Sequence, residues 1–275
     1  MAYFPHCRRK SRVFSGLTEK AVDALKGHDS MRKARTLLLL MCLIGLLSTA
    51  HADNVVTLAS LEWPPYAGAQ LPEQGTANAV VRAAFAAMDF RLDIKFFPWS
   101  RAVSLVETQY NYIGYTPEYY SPMMAARFVF SDPICSGRLV LAQRRGSPIR
   151  WNTIVDLSAW TVGVVQGHVN GPEFDQRVVD HQQHIDSAPN DLSNLKKLAA
   201  GRVDLAIVDP KVFVYLSKGD PSLSEQLELN PKLIASTYFY VAFKRSAQGE
   251  YWVKIFNEGL KKIDAAAIMQ RYIKD

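Results

Sequence analysis

Short apolar runs alternate with segments of helical periodicity from about residue 55 to the end of the chain. Val55–Ser60 predicts a buried strand, and a helix capped by Thr76 follows, because its apolar residues recur at helical spacing: Ala77, Val80, Val81, Ala84, Phe85 and Met88. Residues 92–97 predict the next strand, and a second helix begins at Ser100. Ser121-Pro122 has the residues typical of a helix start.

The later elements continue this alternation. They are strands over 138–143, 161–165, 184–187, 203–208 and 233–243, and helices beginning at Gly171-Pro172, over 191–200 and over 251–273. Strands that alternate with helices predict parallel sheets covered by helices. We therefore expect an α/β protein with two lobes, each a mostly parallel sheet flanked by helices.

The sequence also indicates how the two lobes are connected. It contains no internal repeat, low-complexity tract or flexible linker. We therefore expect the lobes to exchange chain through two hinge strands, near residues 138–143 and 236–243. The first lobe then combines residues 53–138 with 237–275, and the second lobe spans residues 139–236.

A basic and apolar leader precedes these elements. Met31-Arg-Lys-Ala-Arg35 is followed by an apolar run to Leu47 and by Ser-Thr-Ala-His-Ala52, which is typical of a signal peptide cleaved after Ala52. The apolar run is shorter than the about 20 residues that a membrane-spanning helix needs. We expect residues 31–52 to be removed on export to the periplasm, and residues 1–30 to lie upstream of a true start at Met31.

The formal net charge of +6 comes from this leader. Nine of the 32 Lys and Arg residues and three of the 26 Asp and Glu residues lie within residues 1–52, which leaves 23 of each after it. No basic run with interleaved aromatic residues follows, so we exclude nucleic acid as a partner. Cys135 is the one cysteine after residue 52, which excludes an internal disulfide there.

Candidate ligand-binding residues follow the predicted strands, because parallel sheets bind ligands beyond the carboxyl ends of their strands. Glu62-Trp63-Pro-Pro-Tyr66 holds two aromatic residues beside a rigid diproline, although a packed surface loop is the alternative. Arg101 lies in the first turn of a helix, where a cation is unfavourable, which hints at a binding role; a solvated surface Arg is the alternative.

Three further segments could contribute to a cleft. Residues 110–120 contain five tyrosines, including Tyr119 and Tyr120, which offer apolar faces and hydroxyl groups. Gly167 and His168 lie between a strand and a helix, where backbone N–H groups could hold an anionic oxygen. Asp209 follows a strand directly and could accept from a ligand ammonium group or cap the next helix.

Signatures of catalysis and metal binding are sparse. His181 and His184 are three residues apart but have no third ligand nearby, and neither a GxSxG nor a HExxH motif is present. Cys135 has no recognisable catalytic partner and is interpreted as a core thiol. We therefore predict no enzymatic activity, metal or cofactor.

The chain resembles the bacterial extracellular solute-binding proteins of family 3, the polar amino-acid type of ABC transporters. The resemblance covers residues 54–274 and rests on segments read together: Trp63-Pro-Pro-Tyr66, Pro98-Trp-Ser-Arg101, Phe130-Ser-Asp-Pro133, Asp156-Leu157, Val162-Gly-Val-Val-Gln-Gly167, Leu195-Lys-Lys-Leu-Ala-Ala-Gly-Arg-Val-Asp204 and Asp209. It implies a type II periplasmic-binding-protein fold. Its two lobes would close on a small solute and deliver it to a membrane permease.

Departures from the family pattern bear on the solute. The family often has a Thr-x-x-Arg motif whose Arg, six residues before the Phe of Phe-Ser-Asp-Pro, clamps the ligand carboxylate; this chain has Ser121 and Met124 there. The resemblance assigns Asp209 to the ligand amino group and leaves His168 where the family has Ser or Thr. Arg101 is the candidate replacement for the missing clamp.

The resulting hypothesis is a monomer that binds a small polar, amino-acid-like or aromatic solute. Trp63, Tyr66 and Tyr120 would stack on it, and Ser121 would hold an oxygen. Arg101→Ala and Asp209→Ala should each weaken binding by about tenfold or more. Two alternatives stay open: a sensory protein that docks on a receptor or kinase, and a dehydratase-like enzyme that uses Glu62 or His168 as acid or base.

Overall fold

The strand β1 (Val55–Ser60) lies between two parallel neighbours, β2 (Arg91–Phe96) and β3 (Gly114–Tyr119). This arrangement is seen in a computed structural model, which describes residues 54–272. The predicted upstream segment 1–30, the signal peptide 31–52 and its cleavage site lie outside the described residues.

The remaining strands extend this sheet in the order β2-β1-β3-β9-β5-β8-β6-β7, with β4 paired to β9. Their bounds are Phe128–Phe130 (β4), Cys135–Arg144 (β5), Val162–Val165 (β6), Ile185–Ala188 (β7), Leu205–Val208 (β8) and Leu227–Lys244 (β9). β6 pairs in parallel with β7 and β8, whereas β5 and β9 run antiparallel to each other and join the two parallel parts. We call the part built on β1–β4 the first lobe and the part built on β6–β8 the second lobe.

Helices cover both parts of the sheet. They are α1 (Thr76–Ala86), α2 (Trp99–Thr108), α3 (Pro122–Arg127), α4 (Pro172–Val179), α5 (Asp191–Ala199), α6 (Pro210–Gly219), α7 (Pro221–Gln226), α8 (Ala247–Lys261) and α9 (Ala265–Tyr272). Short 3-10 helices span Pro72–Gln74 and Ile154–Ala159. None of the helices within residues 54–272 is long and apolar enough to cross a membrane.

The long strands β5 and β9 connect the lobes. They pair from Cys135 opposite Phe239 to Arg144 opposite Leu227, and the register shifts between Leu139 and Ala142. This irregularity lies within the predicted hinge at residues 138–143. The boundaries of the two lobes at residues 138/139 and 236/237 stay a prediction.

Three local predictions are wrong. Thr76 is the first residue of α1 and Gly75 is its N-cap, with no side-chain cap bond. No strand is predicted in the tyrosine-rich segment 110–120, but Gly114–Tyr119 forms a fully buried strand with parallel and antiparallel neighbours. The predicted helix 251–273 is two helices, because the chain turns after Lys261 and the Asp264 carboxylate accepts from the backbone N–H of Ala267 in α9.

Candidate functional site

A cleft of about 550 Å³ lies between the two lobes, and we call it the interlobe cleft. The first lobe lines it with residues 61–64 and 96–99, and the second lobe with Val165, His168, residues 189–192, Val212 and Leu216. These residues lie at or just after the carboxyl ends of four parallel strands, β1, β2, β6 and β7, or on α6. This is the edge at which parallel sheets bind ligands, and the volume is in the range of small-molecule sites.

Trp63 is the centre of the aromatic wall on the first lobe. Its side chain is only 6% exposed, and its ring lies 4.9 Å from that of Tyr66 and 5.2 Å from that of Phe239, measured between centroids. The ring of Tyr119 meets it edge to face at 5.8 Å. Packing of three aromatic rings around the indole fixes its orientation, so Trp63 offers a rigid surface to the cleft.

His168 of the second lobe lies between two tryptophans of the first lobe. Its ring centroid is 6.1 Å from that of Trp63 and 5.8 Å from that of Trp99, both edge to face. Burial among these rings lowers the pKa of His168 to about 4. The imidazole is therefore neutral at physiological pH and adds no positive charge to the cleft.

Gly167 and Trp99 connect the lobes through a hydrogen bond. The indole Nε1 of Trp99 donates to the carbonyl oxygen of Gly167 at 3.2 Å. Gly167 has a φ of +79°, which a side chain would disfavour, so the turn that presents this carbonyl depends on glycine. The contact holds the base of α2 against the loop after β6.

Asp191 is a cleft residue that the sequence analysis treated only as part of a helix. It is the first residue of α5, whose N-cap is Asn190, and it is 8% exposed. Its pKa is raised to about 7 because burial, and secondarily the nearby Asp209 carboxylate, disfavour the charge; the Trp63 indole N–H and its own backbone N–H oppose the rise. The sequence feature that could have identified Asp191 is an acidic residue in the first turn of a helix that follows a parallel strand.

Glu62 is the second acidic residue of the cleft. It is exposed, and its Oε1 accepts a hydrogen bond from the backbone N–H of Ala69 at 3.0 Å. This bond ties the carboxylate to the loop after β1, and Glu62 lines the cleft from the first lobe.

Asp209 is occupied by protein donors. It is 2% exposed and caps α6, since Oδ1 accepts from the backbone N–H groups of Lys211 and Val212 at 2.8 and 3.4 Å. The Tyr66 hydroxyl donates to Oδ1 at 3.0 Å, and the backbone N–H of Arg138 donates to Oδ2 at 3.4 Å. Of the two roles considered for Asp209, the helix cap is observed, and neither Asp209 nor Tyr66 lines the interlobe cleft.

Five other predicted residues also lie outside the cleft lining, and one of them is Gly167, which contacts Trp99 through its carbonyl oxygen. Arg101 is exposed, with its guanidinium 5.5 Å from the centre of the Phe97 ring. Tyr119 is buried behind Trp63, whereas Tyr120 is 50% exposed. Ser121 caps α3, because its hydroxyl accepts from the backbone N–H of Met124 at 3.2 Å.

A buried acid lies near the cleft in β3. Glu118 accepts from the Tyr115 hydroxyl at 3.0 Å and from the Tyr119 backbone N–H at 2.7 Å, and burial raises its pKa to about 8. It lines a cavity of only about 10 Å³ that shares Trp63 and His168 with the cleft. This cavity is too small for a solute, so we assign Glu118 to the core.

Other reactive groups do not form a centre. Within residues 54–272 no group of three or more His, Cys, Asp or Glu residues could hold a metal ion. Cys135 is a free thiol whose pKa is raised by burial, so it is not an activated nucleophile.

Solved structures share this architecture. A histidine kinase sensor domain with similarity to periplasmic binding proteins superposes with a TM-score of 0.69 at 19% identity, covering 80% of this chain and 96% of that one. An ancestral arginine-binding protein bound to arginine gives 0.67 at 14% identity, covering 80% and 99%. The GluR0 ligand-binding core from Nostoc punctiforme in complex with L-glutamate gives 0.65 at 15% identity, covering 80% and 100%.

These similarities establish the fold of the chain as the two-lobed periplasmic-binding-protein fold, as predicted. No family model matches the sequence, and no curated protein matches it. Membership of family 3 therefore stays a prediction.

Proposed function

We propose that this protein is a periplasmic solute-binding protein that captures a small polar, amino-acid-like or aromatic ligand between its lobes for uptake by an ABC-type permease. The observation that carries the proposal is the interlobe cleft, whose walls come from the strand ends of both lobes. A ligand that touches both walls favours the closed form, because only that form makes both sets of contacts. Similar structures that hold arginine or L-glutamate support a small polar ligand.

The residues that we propose for ligand contact are those of the predicted set that line the cleft, Glu62, Trp63 and His168, together with Trp99 and Asp191. Tyr66, Tyr119 and Asp209 support them from behind, since Tyr66 and Tyr119 pack on Trp63 and Asp209 holds Tyr66. Gly167 holds Trp99 in place. We propose no direct ligand contact for Arg101, Tyr120 or Ser121.

A thermal-shift screen tests the binding function. The purified protein is heated with amino acids, oligopeptides, polyamines, aromatic acids and short dicarboxylates at about 1 mM. A ligand with a dissociation constant near 10 µM adds about 2.7 kcal/mol to the free energy of unfolding, which moves the melting temperature by several degrees.

A matched pair of variants then locates the ligand. Leu216→Trp places a large ring in the cleft, whereas Val214→Trp changes an exposed position of the same helix, α6. We expect the ligand-induced shift to disappear in Leu216→Trp and to persist in Val214→Trp. A shift that survives in both variants would show that the ligand binds elsewhere.

A sensory role is the second candidate, favoured by the similarity to a histidine kinase sensor domain. Both roles use the same cleft and differ in the partner. Loss of cellular uptake of the identified ligand when the gene is deleted supports transport. Unchanged uptake with an altered phosphorylation of a kinase supports sensing.

We propose that the protein has no enzymatic activity. The dehydratase alternative assigns the acid or base to Glu62 or His168, both of which line the cleft. Turnover of a small cyclic carboxylate by the purified protein, lost in Glu62→Ala or His168→Ala, would contradict this proposal.

A further inference from the structure

The charge of the interlobe cleft has one sign. Its acidic residues are Glu62 on the first lobe and Asp191 on the second, and none of its lining residues within the described chain is a Lys or an Arg. His168 is neutral, because its pKa is lowered to about 4. A ligand carboxylate would therefore meet two acidic side chains and no cationic side chain in the lining.

The residues at the positions where the family clamps an amino acid are engaged within the protein itself. Ser121 caps α3, Met124 is buried, and Asp209 accepts hydrogen bonds from Tyr66 and from three backbone N–H groups. None of these three residues lines the cleft. The chain thus offers neither a carboxylate clamp nor a free amino-group acceptor at that position.

Asp191, unlike Asp209, is not engaged by several protein donors within residues 54–272. More than nine-tenths of the residue is buried, it faces the cleft, and the groups that lower its pKa are only the Trp63 indole N–H and its own backbone N–H. The Trp63 Nε1 atom makes no hydrogen bond of normal geometry with the described residues. A buried carboxylate without a cation is unfavourable, and an ammonium group in the cleft would relieve this cost.

Aromatic rings line the same cleft as Asp191. Trp63, Phe96, Phe97 and Trp99 line the cleft on the first lobe, and Leu192, Val212 and Leu216 line it on the second. Aromatic faces attract an ammonium group, most strongly at tryptophan, and they also cover apolar parts of a ligand. The lining therefore suits a cation attached to an apolar body.

We propose that the interlobe cleft selects a protonated organic amine with an aromatic or apolar body, that the Asp191 carboxylate binds its ammonium group, and that no ligand carboxylate is required. Glu62 adds a second negative charge on the opposite wall. The inference rests on the proposed function, because it takes the interlobe cleft as the ligand site.

Three probes that differ only in their charged groups test it. 2-Phenylethylamine, phenylalanine and 3-phenylpropionate are titrated into the purified protein at pH 8 by calorimetry, with tryptophan fluorescence as a second readout because Trp63 and Trp99 line the cleft. We expect 2-phenylethylamine to bind at least about tenfold more tightly than phenylalanine, and 3-phenylpropionate to bind most weakly. Equal or tighter binding of either carboxylate would overturn the inference.

Variants assign the binding to Asp191. Asp191→Asn should weaken 2-phenylethylamine binding by about tenfold or more, and Asp191→Glu should retain part of it. Glu258→Gln removes one exposed carboxylate of α8 and is the control for net charge. Equal affinity in Asp191→Asn and Glu258→Gln would contradict the role of Asp191, provided that circular dichroism shows both variants folded.

The outcomes separate this inference from the proposed function. If an anionic or zwitterionic compound binds and loses its affinity in Leu216→Trp, the cleft is a ligand site and only the amine assignment fails. If no compound in either experiment binds, both the amine assignment and the proposed function fail.

Discussion

His168 and Asp191 line the same cleft, and burial shifts their pKa values in opposite directions. The pKa of His168 is lowered to about 4 and that of Asp191 is raised to about 7. In both cases the charged form is disfavoured, because the surrounding rings and apolar side chains solvate a charge poorly. Each residue therefore makes its own contribution to the pH dependence of stability.

We expect His168 to stabilise the fold above about pH 6.5, the ordinary pKa of histidine, and to lose this contribution as the pH falls towards 4. The folded protein binds the proton less readily than the unfolded chain, so acid favours unfolding. His168→Phe should make the fall in unfolding free energy between pH 7.5 and pH 4.5 smaller by about 1 to 3 kcal/mol. Urea titrations at the two pH values measure it, and an identical fall in both proteins would contradict the shift.

Asp191 should act in the opposite sense. Since its pKa is raised in the folded protein, its contribution is fully present below the unfolded value near 3.8 and is lost as the pH rises through about 7. Asp191→Asn should therefore stabilise the protein relative to wild type at pH 8, by up to about 3 kcal/mol, and have little effect at pH 4. Glu258→Gln should show no such gain between pH 5 and 8; a gain of equal size there would point to net charge instead.

At the scale of elements, periodicity predicts most of the strands but misses the one over Gly114–Tyr119. Val55–Ser60 is confirmed as β1, and Ser121 and Pro122 begin α3 as predicted. The strand Gly114–Tyr119 was missed, because its tyrosines, Pro and Glu do not form an apolar run, and only its burial between β1 and β9 explains it. Tertiary packing here overrides local propensity.

The sequence predicts the place of the candidate site better than it predicts the individual residues that line it. The rule that ligands bind at the carboxyl ends of parallel strands leads to Glu62, Trp63 and His168, which line the cleft. The same rule also reaches Asp191, which follows β7, but the sequence does not show its burial or its raised pKa, because these depend on Trp63 and Asp209, which are distant in the sequence. Tyr66 and Asp209 were predicted to contact the ligand, but they bind each other across the lobes. The sequence alone does not reveal this contact, because the two residues are far apart in the chain.

The packing of α8 on α1 depends on a glycine. A Cβ atom at Gly259 would clash with the carbonyl oxygen of Ala84 in α1, so Gly259→Ala must separate the two helices. We expect a loss of about 2 kcal/mol or more in unfolding free energy, because backbone atoms cannot move aside as a side chain can. Gly219→Ala, at the end of α6 with nothing within 4 Å, is the control and should be neutral or stabilising. Chemical denaturation compares them; equal stability of both variants would refute the close contact.

At the scale of the whole molecule, side chains as well as the two long strands connect the lobes. Tyr66 on the first lobe bonds Asp209 on the second, and Trp99 bonds the carbonyl oxygen of Gly167. Each bond joins a residue near the cleft wall of one lobe to a strand end of the other. The relative position of the lobes therefore depends on a few polar contacts next to the interlobe cleft. Binding of a ligand in this cleft, as we propose, would be coupled to closure of the lobes.

Tyr66→Phe tests this coupling, because it removes one cross-lobe hydrogen bond and keeps the aromatic packing on Trp63 and Phe239. Asp209 keeps its three backbone donors, so α6 stays capped. We expect a loss of about 1 to 2 kcal/mol in unfolding free energy and a larger radius of gyration in small-angle scattering, as the lobes separate more often. Tyr120→Phe, which alters a half-exposed ring outside the cleft, should change neither quantity. If Tyr66→Phe lowers stability but leaves the radius of gyration unchanged, the bond supports the core and the lobes are held by the hinge strands and Trp99.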